Sequence, residues 1–147
     1  MEETWLRVGQ AVHGHLGWLA VAALVHPALL LRRPGAVPRW AVLAAVGLTT
    51  LVVAGGAALY PTYRTEVRPG LFALSPAAGW WFERKEGLAV LVLSLAWTGG
   101  VAAWLVGRPL DGRTSLRRTA ALAFTLAAVG AGVCATAGTA VAVLARF

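Results

Sequence analysis

His13, His15 and His26 are the only histidines in the chain. All three fall in its first apolar stretch, where an imidazole could ligate a metal, bind a haem iron or relay a proton. His15 and His26 are eleven residues apart. At about 100° per residue they return to nearly one helix face, roughly 16 Å apart along the axis. Two stacked haems would need such an arrangement, but bis-histidine ligation requires histidines from a second helix, and Met1 is the only methionine. A haem with one axial histidine, or one completed across a dimer, stays open. No CxxCH attachment motif is present.

His13-x-His15 and Glu83-x-x-Glu86 combine imidazole and carboxylate, donors that suit zinc, iron or manganese. His13 and His15 nevertheless point about 200° apart on an α-helix, so both cannot address one ion without distortion. Depth gives a second criterion. Counting about 1.5 Å per residue, His13 lies about 29 Å from the level of Arg32, Tyr60 about 31 Å from Arg39, and Glu86 about 33 Å from Arg108. These residues therefore share a level, with Lys85 nearby, and the candidate ligand-binding group is His13, His15, Tyr60, Arg64, Glu83 and Glu86. Haem, a quinone or a divalent metal are the cofactor classes such donors suit. The competing reading is anchoring, because charges where a helix leaves a membrane commonly snorkel or pair.

Four apolar runs must position these side chains. Residues 10–31, 40–59, 87–106 and 120–145 hold no Asp, Glu, Lys or Arg. Each reaches the roughly 20 residues that a helix needs to cross about 30 Å of hydrocarbon. Backbone N–H and C=O groups inside lipid must be satisfied within the segment, so the runs read as helices. The expected fold is an all-α integral membrane protein, a four-transmembrane-helix up-down bundle forming a single membrane domain over residues 1–147. Pro27 removes one helical hydrogen bond within span one.

The connection between spans two and three carries its own signals. Ser75-Pro76 suits the N-cap and first position of a helix, and nothing between Pro61 and Pro69-Gly70 forbids helix. Helices two and three are thus expected to extend beyond the bilayer as a hairpin, turning around Gly70 to Leu74; an irregular interfacial loop is the alternative. Tyr60, Tyr63, Trp80, Trp81 and Phe82 would form an aromatic belt there.

Composition narrows the class. The chain is 59% hydrophobic with a formal charge of +7 carried by residues at the span ends. That pattern is a topology signal, and nucleic acid is not an expected partner. Arg32, Arg33, Arg39, Arg108, Arg113, Arg117 and Arg118 occupy two short loops opposed only by Asp111. Arg7, Arg64, Arg68, Arg84, Lys85 and Arg146 are diluted by five glutamates. The short loops are therefore placed in the cytoplasm and both termini outside. An acidic start and a long first run argue against a cleaved signal, so span one is expected to be retained. Arginine in twelve of thirteen basic positions, with no Asn, suggests a GC-rich bacterial genome and hence the inner (cytoplasmic) membrane.

Cys134 is the only cysteine, which excludes a disulfide framework. Gly130, Cys134 and Gly138 recur every four residues on span four, a small-residue packing interface that lets a second backbone approach closely. Packing within the bundle and a seam between two copies are both open to it. The chain has no GxSxG, HExxH, P-loop or dinucleotide fingerprint, which favours a non-enzyme without catalytic residues. The expected function is a non-catalytic subunit or assembly partner of a bacterial membrane complex, working with the lipid bilayer and other membrane subunits or a second copy. A haem-, quinone- or metal-binding redox-associated protein is the alternative, followed by a proton or ion conductor using Glu86 and His26.

Overall fold

The computed structural model describes residues 2–33, 35, 37–106 and 113–145. Arg108, Asp111 and Arg146 lie outside them, and the side chains of Arg7 and Arg113 are also not described. The described chain is helical almost throughout. Helix α1 spans Glu2–Leu30, α2 Arg39–Thr62, α3 Arg68–Leu74, α4 Pro76–Val106 and α5 Arg113–Ala145. A π-helical turn, Tyr63–Val67, joins α2 to α3, so Arg39–Leu74 forms one long helical segment. Among the described residues, four helical segments are long and apolar enough to cross a membrane: Val8–Leu30, Arg39–Leu74, Pro76–Val106 and Thr114–Val143.

The four segments run alternately up and down, and each packs against two others: α1 on α2, α2 on α4, α4 on α5, and α5 back on α1. One end of this ring carries the α1–α2 connection and the start of α5, rich in arginine; the opposite end carries α3 and the turn into α4. At the arginine end the core is apolar and built mainly from small residues. Leu24, Leu31, Val42, Val46, Val92 and Phe124 fill it between Ala28, Ala45, Ala96, Ala103, Ala120 and Ala127. Alanine and glycine let the helices approach closely, and the few large side chains then interlock. Phe124 is fully buried, and a Cβ on Gly99 would lie 3.0 Å from its ring. Pro27 is buried in this core and α1 continues through it to Leu30.

Two arginines tie the arginine end together. Arg117 of α5 donates to the carbonyls of Leu31 at 2.9 Å, Gly35 at 2.8 Å and Arg33. These are acceptors that the end of α1 leaves without helical partners. Arg32 reaches Thr125 of α5 at 3.1 Å. Gly35 has φ 133°, a conformation that a side chain would strain.

The helical hairpin between α2 and α4 is present, but its turn differs from the expected one. Pro69 and Gly70 lie inside helix α3, and the chain reverses at Ser75 alone. Proline cannot donate to a carbonyl one turn back, and the π turn just before it provides the wider spacing that accommodates the defect. Arg68 N–H accordingly donates to the carbonyl of Tyr63, five residues back. Ser75 is extended, with φ −157°, and its Oγ accepts from Ala78 N–H at 3.3 Å, the N-cap that the Ser-Pro pair signals. Ser75→Ala should cost about 1 kcal/mol of hairpin stability. Hydrogen exchange should show faster exchange at Ala77 and Ala78 while α5 is unchanged.

Candidate functional site

At the hairpin end Val67 and Leu71 are buried, and half-buried polar side chains lie beside them. His13 of α1 is half-buried and its ring packs beside Gly55 and Gly56 of α2. A Cβ on Gly56 would sit 3.1 Å from Cε1 and 3.4 Å from Nε2, so the glycine pair forms the slot that the imidazole occupies. One turn further along α2, Tyr60 brings its hydroxyl beside the Glu86 carboxyl. Lys85, the neighbour of Glu86 in sequence, turns instead toward α5.

Lys85 is held on three sides. Its Nζ lies 3.9 Å from the centre of the Phe82 ring, an ammonium–quadrupole contact. Gly138 leaves room for it, since a Cβ there would fall 3.6 Å from Nζ. The Cys134 thiol donates to the Lys85 carbonyl at 3.6 Å. The positive charge of Lys85 is felt at both His13 and Glu86. Tyr63 stacks on Phe82, ring centres 3.8 Å apart and 15° from parallel. Two groups this close to one ring must take opposite faces, so Phe82 is sandwiched between Tyr63 and Lys85. The Tyr63 hydroxyl is buried and, among the described residues, has no hydrogen-bond partner.

The proposed level thus resolves into two groups. His13 packs on α2 and Tyr60 meets Glu86, with the charge of Lys85 acting on both His13 and Glu86. Glu83 instead pairs with Arg68 of α3, Nε donating at 2.7 Å and Nη2 lying 2.5 Å from the same carboxylate oxygen. Arg64 is exposed and acts on Glu86 only through its charge. His15 is exposed on the far flank of α1, its Nδ1 2.7 Å from the Ala11 carbonyl. The 200° separation of the two histidines is therefore what divides them.

This geometry bears on the cofactor classes. Among the described residues no three His, Cys, Asp or Glu side chains are grouped to hold a metal ion. His13 Nε2, an atom able to ligate haem iron, would lie 3.4 Å from a Cβ on Gly56. What the arrangement supplies is a hydrogen bond between Tyr60 and Glu86 beside the positive charge of Lys85.

Gly130, Cys134 and Gly138 all face α4 of the same chain. A Cβ on Gly130 would lie 2.7 Å from Val92 Cγ2, and the other two face Lys85. Sequence reasoning did not assign Lys85 to the site, because adjacent charges at a helix end read as anchors. It also missed the Arg68–Glu83 pair. The signal for that pair was present: Arg68 and Glu83 are equidistant from the Ser75–Pro76 bond, as are Phe72 and Gly79, which also meet. No protein-family model, no curated protein and no solved structure matches the chain, so its relationships rest on the residues themselves.

Proposed function

We propose that this chain is an integral protein of the bacterial inner membrane that crosses the bilayer four times and serves as a non-catalytic subunit or assembly partner of a membrane complex. Length supports the extension of the hairpin beyond the lipid. The 36 residues of Arg39–Leu74 rise about 54 Å and the 31 of Pro76–Val106 about 46 Å, against about 30 Å of hydrocarbon. The arginine end lies in the cytoplasm and both termini outside.

The observation that carries the reading is a hairpin tip whose two arms are braced against each other and which exposes large apolar side chains. Arg68–Glu83, the Tyr63–Phe82 stack and the seat of Phe72 over Gly79 fix its two arms. Arg68 also lies 5.1 Å from the Phe72 ring centre. Outward it presents Leu74, Trp80 and Trp81, which are 72%, 57% and 61% exposed. Large rigid aromatics held in place at low entropic cost are the usual anchors of protein interfaces. A second reading, a redox-associated protein binding a quinone-like ligand, is favoured by the buried Tyr63 hydroxyl, which has no hydrogen-bond partner among the described residues and lies within reach of the Glu86 and Glu83 charges.

Gentle detergent extraction followed by co-purification, an absorption spectrum and metal analysis separates the two. The subunit reading expects a defined complex, no visible chromophore and no stoichiometric metal, with the complex lost in Trp80→Ala/Trp81→Ala. A Soret or quinone absorbance that disappears in His13→Ala or Tyr63→Phe would transfer the function to the second reading.

A further inference from the structure

Two hydrogen bonds cross the lateral face between α1 and α5. Arg32 Nη2 donates to Thr125 Oγ1 at 3.1 Å, and Trp18 Nε1 donates to Thr139 Oγ1 at 3.4 Å. Arg32 and Trp18 are fourteen residues apart, as are Thr125 and Thr139, so the antiparallel helices hold one register for about 21 Å. Between the two bonds the face is lined by Val25 and Leu29 of α1 and Val129 of α5, all exposed. Gly132 of α5 lies midway, level with Val25, and a Cβ there would meet nothing within 4 Å. The face is therefore an apolar trough with a polar bond at each end. Arg32 is turned back toward this trough. Thr125 lies eight residues, about 12 Å, further along α5 than Arg117, which caps the end of α1 from which Arg32 projects.

We propose that this α1–α5 face is a binding site for an anionic phospholipid, the phosphate meeting Arg32 and one acyl chain lying in the trough over Gly132. The proposal rests on the four-span membrane reading but not on the docking role of the hairpin. Depth fits it, since the eighteen residues from Thr125 to Val143 rise about 27 Å, close to the about 30 Å of hydrocarbon, which sets Arg32 at the headgroup boundary. Charge complementarity selects the occupant. Thr125 Oγ1 donates to the Ala121 carbonyl at 2.7 Å and accepts from one of the five guanidinium N–H groups of Arg32; the other four have no acceptor among the described residues. An arginine at a span end ordinarily extends toward water, whereas this one is held at the mouth of an apolar trough, the arrangement that a phosphate with a long apolar tail completes. Arg118, exposed and seven residues before Thr125 on the same side of α5, adds positive charge above it. The glutamates of the described segments all belong to the opposite end. A zwitterionic lipid has the same tail, so Arg32, and not the trough, supplies the preference.

The test uses the full chain in mild detergent, mixed with palmitoyl-oleoyl phosphatidylglycerol or the matching phosphatidylcholine, with retained lipid measured by native mass spectrometry. Wild type should retain the glycerol lipid with at least about fivefold preference, as one guanidinium at the membrane surface would give. Arg32→Gln should erase the preference, whereas Arg33→Gln, which removes the same charge from the next position, should leave most of it. Thr125→Val keeps every charge but releases the guanidinium from the trough, and should reduce the preference. Gly132→Leu, at the open position, should lower retention of both lipids. Equal retention of the two lipids by wild type, or a preference that Arg32→Gln and Arg33→Gln reduce alike, would overturn the site. So would a dimer that holds neither lipid, which would give the face to a second copy. Extraction of the protein from membranes by alkaline carbonate would instead overturn the four-span reading on which it rests.

Discussion

Gly130→Leu should separate α4 from α5 and cost the bundle about 3 kcal/mol or more, the largest effect of any single substitution considered. A Cβ at this position already falls 2.7 Å from Val92 Cγ2 and 3.6 Å from Leu88 Cδ1. Val92 cannot swing aside, because a β-branched side chain in a helix is confined to essentially one rotamer. The helices themselves must therefore move, and this is the most extensive interface in the molecule. Gly130→Ala is a finer probe. The clash opposes the roughly 1 kcal/mol that alanine gains over glycine in a helix interior, and the net should be small. Val92→Ala should rescue Gly130→Leu in part, a coupling of about 1–3 kcal/mol in a double-mutant cycle followed by unfolding in mixed micelles. Additive losses would mean that the glycine face is not seated on α4.

Arg117→Met should be nearly as damaging, at about 2–4 kcal/mol, and local to the arginine end. The guanidinium satisfies carbonyls of Leu31, Arg33 and Gly35 at once, and removing it strands acceptors that the helix end cannot serve itself. Charge-assisted hydrogen bonds of about 1.5–3 kcal/mol apiece would sum higher in a dry interior, but solvent reaches this end and reduces each. Lysine should recover little, since one ammonium lacks the planar fork that spans three acceptors. Thermal unfolding in detergent gives the magnitude. Hydrogen exchange in the α1–α2 connection gives the location, and wild-type protection there in Arg117→Met would remove arginine capping from the account.

Much of the architecture was legible from hydropathy and length alone. Runs of apolar residues without charge must be helices, and the four runs appear as such, each longer than its apolar core. Ser75-Pro76 was legible for a local reason, as serine caps and proline starts a helix. Pro69-Gly70 misled because the pair usually breaks a helix, whereas a π turn upstream absorbs the missing donor. Of the site, depth could be counted from 1.5 Å per residue, and His13, Tyr60 and Glu86 do occupy one end of the bundle. Azimuth separated His15 from them. What could not be read was the choice of partner: Glu83 takes Arg68 across the hairpin, and Lys85 finds an aromatic ring and a glycine notch instead of a carboxylate. Arg117 was hidden more deeply, since its acceptors are backbone carbonyls that any sequence would offer.

The proposed docking role of the hairpin is tested most directly by site-specific photo-crosslinking in native membranes, with a photoreactive residue placed in turn at Trp80, Leu74 and, as an exposed control away from the tip, Trp97. The account predicts one discrete protein adduct from Trp80 and Leu74, none from Trp97, and loss of the adduct when Gly79→Leu displaces Phe72 and unseats the tip. Adducts confined to lipid at all three positions, or the same protein adduct from Trp97, would contradict it.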